Sequence, residues 1–146
     1  MKLLLQRVRR AQVSIADEVV ATIGQGLLVL VGLEPGDDAA QLERMAQRLL
    51  HYRVFADDGG RMNLDVTQVP GAGVMLVSQF TLAADTSRGR RPGFSGAMAP
   101  ESAEKAFHDF VARVREGFSG AVECGRFGAD MQVELVNDGP VTFLLQ

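Results

Sequence analysis

Residues 27–33 read "LLVLVGL", an apolar run framed by Gly26 and Gly32. A strand with one wet face alternates apolar and polar side chains, because successive residues point to opposite sides. This run does not alternate. It predicts a central strand covered on both faces. Its chain neighbours supply the covers. Upstream, Leu3–Ile15 mixes apolar, basic and β-branched residues in imperfect alternation and predicts a strand. "EVVATI" (18–23) predicts another, followed by the turn "GQG" (24–26).

Downstream, "EPGDDAA" (34–40) opens a helix with Asp37 or Asp38 as N-cap. Leu42, Met45, Ala46, Leu49 and Leu50 then fall at i, i+3, i+4, i+7 and i+8, one apolar stripe. "DDGG" (57–60) is a turn. "VMLVSQFTL" (Val74–Leu82) predicts a second, mostly apolar strand, interrupted by Ser78-Gln79 and Thr81. The next stretch, "AADTSRGRRPGFSGA" (83–97), is a loop long enough to be functional or disordered. Pro100–Phe118 is the second helix: Pro100 suits a first turn, and Ala103, Phe107, Phe110, Val111, Val114 and Phe118 form its stripe. "AVECGRF" (121–127), "MQVELV" (131–136) and Val141–Leu145 predict closing strands, with Gly139-Pro140 as a kinked turn between the last two. Strand runs split by only two helices exclude a regular doubly wound sheet. They predict a mixed α/β sandwich of largely antiparallel sheets, in one domain spanning residues 1–146.

Bulk properties narrow the function. Net charge is −3, so no global positive field draws the chain to nucleic acid. Local clusters exist: Lys2, Arg7, Arg9 and Arg10 at the start, and Arg88, Arg90 and Arg91 in the long loop. Either cluster reads as a solvated surface or as a phosphate contact. The lone Cys124 forms no intramolecular disulfide, which fits a reducing compartment. "MKLLLQRVRR" is too briefly apolar for a signal peptide, and no stretch approaches a membrane span. The expectation is a cytoplasmic protein with no membrane contact.

Familiar chemistries are missing. Two histidines and one cysteine cannot make a tetrahedral nitrogen–sulfur zinc site. His51, at the end of the first helix, and His108, on the flank of the second, read as structural. "GFSGA" (93–97) has Ala where a nucleophile elbow needs Gly and follows no strand. No dinucleotide fingerprint or P-loop is present. The expectation is no cofactor and no metal.

The segments "QRV" (6–8), "GLLVLVG" (26–32), "MNLDV" (62–66), "VSQFTLAADT" (77–86), "GRRPGFS" (89–95), "GRFGADMQV" (125–133) and "LVNDGPVTFLL" (135–145) carry a resemblance. In this order and across nearly the whole chain, the sequence resembles the D-aminoacyl-tRNA deacylases. The resemblance implies a homodimer acting on the 3′ end of aminoacyl-tRNA, where it hydrolyses the ester of a D-amino acid, and of glycine mischarged on tRNA(Ala). It implies catalytic residues on Ser78, Gln79, Phe80 and Thr81. It also implies a cis bond between Gly139 and Pro140, where sequence alone makes trans the default. The resemblance further implies that this Gly-Pro enters the pocket of the other subunit and that Arg7 holds its carbonyls in place.

The residues fit such a task. Gly139 lets backbone approach a ligand closely and Pro140 stiffens it. A rigid backbone wall beside the substrate Cα excludes an L side chain, ignores a D side chain and passes glycine. Thr81 or Ser78 as nucleophile lacks a visible base. The other route is positioning, with backbone N–H groups near Gln79-Phe80 on the ester carbonyl and the ribose 2′-hydroxyl assisting water. Phe80 reads either as core or as a stacking partner of adenine. Met131 and Asn137 are further candidates for the adenosine pocket, and the basic loop and N-terminal arginines for acceptor-stem phosphates. Two alternatives stay open: a dimeric nucleic-acid-binding module without catalysis, and a relative with a trans Gly-Pro that edits L-alanyl-tRNA.

Overall fold

Strands β1 (Lys2–Ile15), β2 (Glu18–Ile23) and β3 (Gly26–Gly32) precede helix α1 (Ala39–Leu50) in the computed structural model, which describes residues 1–87 and 89–146. The short β4 (Phe55–Ala56) and β5 (Met62–Leu64) form a hairpin around the turn at Asp57–Gly60. Then come β6 (Gly73–Ser78), α2 (Pro100–Gly117), β7 (Ala121–Cys124) and β8 (Gln132–Leu145). The main sheet has six strands in the order β2-β1-β3-β6-β7, with β8 also on β1. Pairs involving β1 are antiparallel, whereas β3, β6 and β7 run parallel across helical crossovers. The mixed α/β expectation holds, with two main helices. Arg88 lies outside the described residues.

The unbroken apolar run sits where its pattern requires. Leu27, Val29 and Val31 join Leu3, Leu5 and the stripes of both helices in one core. Leu28 faces the other way and packs with Val8, Val13, Met75 and Val77 in a second core. The helix stripes are buried as spaced: Leu42, Met45, Ala46, Leu49 and Leu50 on α1, and Ala103, Phe107, Phe110, Val111 and Val114 on α2. Asp38 is the N-cap of α1 and accepts from the Gln41 N–H at 2.8 Å. Asp37 instead bonds the Glu34 N–H and the amino terminus.

Three expectations are corrected. The strand predicted over Val74–Leu82 stops at Ser78, and Phe80–Ala83 forms a 3₁₀ turn. A strand needs a partner edge, and β3 ends at Gly32. The Gln79 N–H takes the Val31 carbonyl at 2.7 Å, and Leu82 N–H then bonds back to Gln79. Gly32 permits this, because a Cβ there would lie 2.7 Å from Leu82 Cβ. The strand predicted over 121–127 likewise stops at Cys124, after which Gly125 N–H takes the Leu76 carbonyl. Finally, the two closing strands are one. β8 runs through Gly139-Pro140 and pairs with β1 from Leu3–Leu145 to Ser14–Gln132. No helix among the described residues is long and apolar enough to cross a membrane.

Asp65 is the buried charged side chain among the described residues. It caps a short 3₁₀ turn by accepting from Thr67 N–H at 2.9 Å and from the Thr67 hydroxyl, and it faces His51 Nδ1 at 3.2 Å. Burial pushes its carboxyl up, but the bonds from Thr67 and His51 outweigh burial and hold it below its ordinary value. A depressed folded pKa stabilises fully above the unfolded value of about 3.9 and less as pH falls through the folded one. Asp65→Ala is expected to cost about 1–3 kcal/mol at pH 7. In urea titrations the gap to the native chain should narrow below about pH 4.

Candidate functional site

At the carboxyl end of β6 the sheet opens into a cavity of about 270 Å³. Val77–Phe80 form one wall, and Phe127–Ala129, Met131 and Val133 form the other. Ligands in sheets with parallel strands commonly bind at such strand ends, where the chain leaves the ladder. The floor is apolar because Val77 belongs to the second core and Met131 and Val133 pack against it. Gly125 leaves room for Met131, whose sulfur lies 2.6 Å from where a Cβ would stand. Phe127 is held against Phe107 of α2, ring centroids 6.1 Å apart.

The polar part of the site is the turn after Ser78. Gln79 N–H is committed to the Val31 carbonyl. The N–H groups of Phe80 and Thr81 open the 3₁₀ turn and have no backbone or side-chain acceptor among the described residues. First-turn donors have no partner within their own turn, so these two are free to take an acceptor. The Gln79 side-chain amide donates to Thr81 Oγ at 2.6 Å. An amide N–H cannot remove a proton from that hydroxyl. No carboxylate or histidine bonds Ser78 or Thr81 among the described residues, so the turn holds donors without a base.

Phe80 is 57% exposed, which overturns the core reading for it. Its ring meets that of Phe94, which does not line the cavity, edge to face at 5.1 Å. The long loop that carries Phe94 is tied at its base, where Asp85 and Gly93 exchange two backbone hydrogen bonds of 2.8 and 2.9 Å.

The remaining predicted residues form a second group. Asp138–Val141 of β8 stand opposite the single residue Arg7 of β1, because Gln6 pairs with Thr142 and Val8 with Asn137. The surplus residues bulge outward, and Gly139 and Pro140 are exposed at the crest. The bond between them is cis. Gly139 has φ +137°, and a Cβ there would lie 2.7 Å from Val141 Cγ2 and 3.1 Å from Arg7 Nη2. Arg7 Nε donates to the Asp138 carbonyl at 3.0 Å and Nη1 to the Val54 carbonyl at 2.6 Å. The carbonyl it grips precedes the Gly-Pro unit. Asn137 closes the bulge: its Oδ1 accepts from Val141 N–H at 2.8 Å and its Nδ2 donates to Thr142 Oγ at 2.9 Å.

The structure therefore brings Ser78, Gln79, Phe80 and Met131 together at the cavity, with Thr81 on the adjoining turn. It gathers Arg7, Asn137, Gly139 and Pro140 on the bulge, none of which lines that cavity in the same chain. The N-terminal cations are largely spoken for. Lys2 pairs with Glu34, Arg9 with Asp138 and Arg10 with Glu134. Sequence reading missed Phe127 and Phe94. Phe127 lies between Gly125 and Gly128, which obscure the signal of the run it ends. Phe94 is the one aromatic in an otherwise polar loop, which is itself a signal.

A family model described as D-Tyr-tRNA(Tyr) deacylase matches residues 4–146. A D-aminoacyl-tRNA deacylase of Xanthomonas euvesicatoria pv. vesicatoria (strain 85-10) is 62% identical over 143 residues, 98% of this chain and 97% of that protein. One of Stenotrophomonas maltophilia (strain K279a) is 60% identical over 146 residues, 100% of this chain and 99% of the other. Among solved structures, the c-Myc DNA Unwinding Element Binding Protein superimposes with TM-score 0.95 at 38% identity, covering 100% of this chain and 98% of its own. A probable eukaryotic D-amino acid tRNA deacylase superimposes with TM-score 0.85 at 19% identity, covering 99% and 97%, a likeness of fold.

Asn137→Ala removes both bonds that close the bulge. It is expected to cost about 0.5–1.5 kcal/mol and to speed amide hydrogen exchange at Val141. Asn137→Asp keeps the acceptor and should keep that protection. Unchanged exchange in the alanine variant would mean that the bulge is held by other contacts.

Proposed function

The chain belongs to the D-Tyr-tRNA(Tyr) deacylase family and is a hydrolase of that kind; we propose that it clears D-amino acids from tRNA in a pocket that two copies of the chain build together. The observation that carries this is the turn at Phe80-Thr81, which sets two N–H donors, unpaired among the described residues, beside an apolar cavity with no base bonded to the turn's hydroxyls among those residues.

An aminoacyl ester is already activated, so modest help suffices. The ester carbonyl oxygen takes a hydrogen bond from Phe80 or Thr81 N–H. One well-placed donor of this sort is worth about 10²–10³ in rate. Water adds to the carbonyl carbon, the bond to the ribose 3′-oxygen breaks, and that oxygen takes the proton. Free amino acid and tRNA leave. The neighbouring ribose 2′-hydroxyl supplies the proton relay that the protein lacks. Gln79 orients Thr81 through its amide, and Ser78 sets where the turn begins. The terminal adenosine lies against Met131 and Phe80, and Asn137 acts on it from the bulge it braces.

Chirality is read by backbone. Gly139 and Pro140 stand exposed on a braced bulge, away from the cavity of their own chain. A second copy brings them to it and completes the homodimer's site. There they leave space for hydrogen but not for the side chain of an L-residue. D-residues pass with little regard to side chain. Glycine, with nothing to clash, passes too, so the same site takes glycine mischarged on tRNA(Ala). Arg90 and Arg91 are exposed and unpaired among the described residues, so they are available to RNA phosphates.

A binding-only reading has one observation in its favour, the superimposable protein named for DNA unwinding element binding. Purified protein separates the two. D-tyrosyl-tRNA and glycyl-tRNA should be cleaved well above spontaneous decay, and L-tyrosyl-tRNA should not; decay of all three at the spontaneous rate would leave only binding. Thr81→Ala should keep turnover within about tenfold, whereas loss of a true nucleophile costs about 10⁶ in kcat. A substrate with hydrogen in place of the 2′-hydroxyl should be cleaved far more slowly.

A further inference from the structure

The cavity is small. Its volume of about 270 Å³ lies at the lower edge of ligand pockets, roughly 300–1,000 Å³. On the deacylase reading it receives the terminal residue of the RNA. The strand that leads to that residue must cross the rim.

One side of the rim carries two exposed aromatic rings. Phe80 and Phe94 are 57% and 46% exposed and touch each other edge to face. Their positions are held. The Asp85–Gly93 pair ties the loop, Ala97 N–H bonds the Phe94 carbonyl at 3.0 Å, and Gly96 sits so close to the Ala83 carbonyl that a Cβ would lie 2.6 Å from it. Arg90 and Arg91 project from the same loop, exposed and without a carboxylate partner among the described residues. The Asp85 carboxylate is turned to the Ser87 N–H. A fixed aromatic step next to unpaired cations is the chemistry that holds unpaired nucleotides, through base stacking and phosphate contacts.

We infer that Phe94, with the exposed ring of Phe80 beside it, is the stacking site for the unpaired nucleotide preceding the terminal adenosine, and that Arg90 and Arg91 hold the phosphates of that strand. This rests on the deacylase reading and extends it to the next nucleotide. Stacking reads the face of a base and not its edges, so the site tolerates any base. It works on affinity for the whole RNA, at a distance from the reacting ester.

The test compares two substrates, D-tyrosyl-tRNA and the mononucleoside ester D-tyrosyl-adenosine. Phe94→Ala should raise KM for the tRNA about tenfold or more and change kcat little. On the mononucleoside ester it should stay within about twofold of the native chain, because that substrate lacks the stacked base. Phe94→Trp should restore the tRNA KM. Equal losses on both substrates would overturn the inference, since Phe94 would then serve the cavity. A shift of Phe94→Ala from dimer to monomer in sedimentation would overturn it in favour of a second copy of the chain on this surface. A direct readout stands apart from hydrolysis. A single-stranded RNA with 2-aminopurine next to its terminal adenosine should be quenched by the native chain and not by Phe94→Ala. Failure of the native chain to cleave either ester would sink the deacylase reading while leaving this quench to decide the stacking site.

Discussion

Arg7 sits where β1 and β8 fall out of step. One residue of β1 faces four of β8, and the surplus can only leave the sheet as a bulge. Left alone, such a bulge would be a loose loop. The Arg7 guanidinium fastens it from below, to the Asp138 carbonyl and to the Val54 carbonyl of the segment before β4. Asn137 fastens it across its neck. A register shift, usually a local irregularity, here makes a projecting piece of main chain with fixed shape. The same guanidinium lies 3.1 Å from where a Cβ at position 139 would go, and it adds to a glycine requirement already set by the positive φ and by Val141 Cγ2 at 2.7 Å.

The cavity depends on a different constraint. β3 and β6 are buried on both faces, so their ends are set by where both cores stop. β6 loses its partner edge at Ser78, and the chain turns at once. That turn leaves the Phe80 and Thr81 N–H groups without an acceptor among the described residues, next to an apolar floor. Donors fixed by a ladder need no reorganisation when charge builds on an ester oxygen, which is why a turn of main chain can replace a catalytic side chain. Among the described residues no carboxylate or histidine bonds the hydroxyls of Ser78 or Thr81.

The two groups of residues share an economy of means. Both use backbone braced by side chains of the same chain. Gln79 positions Thr81, and Arg7 and Asn137 position Gly139 and Pro140. The aromatic step at Phe80 and Phe94 differs, because there the side chains themselves meet solvent. It is the natural place for contacts that add affinity without touching the chemistry.

Much of the fold was legible along the chain. Periodicity reports burial, so the helix stripes, the N-cap at Asp38 and the two-sided burial of residues 27–33 could be read from residue order. The motifs around Ser78–Thr81 and Gly139-Pro140 could be located along the chain, and the fold puts them on a turn beside the cavity and on a bulge over Arg7. What residue order could not decide was where strands end and which of them are continuous. "VMLVSQFTL" has strand chemistry throughout, yet stops at Ser78 because β3 has no edge left to offer. "NDGP" has turn chemistry, yet lies inside one strand because β1 holds both flanks. The exposure of Phe80 follows from the first of these, and the bulge over Arg7 from the second. Pairing between distant segments is a property of three-dimensional contact, and only the tertiary structure supplies it.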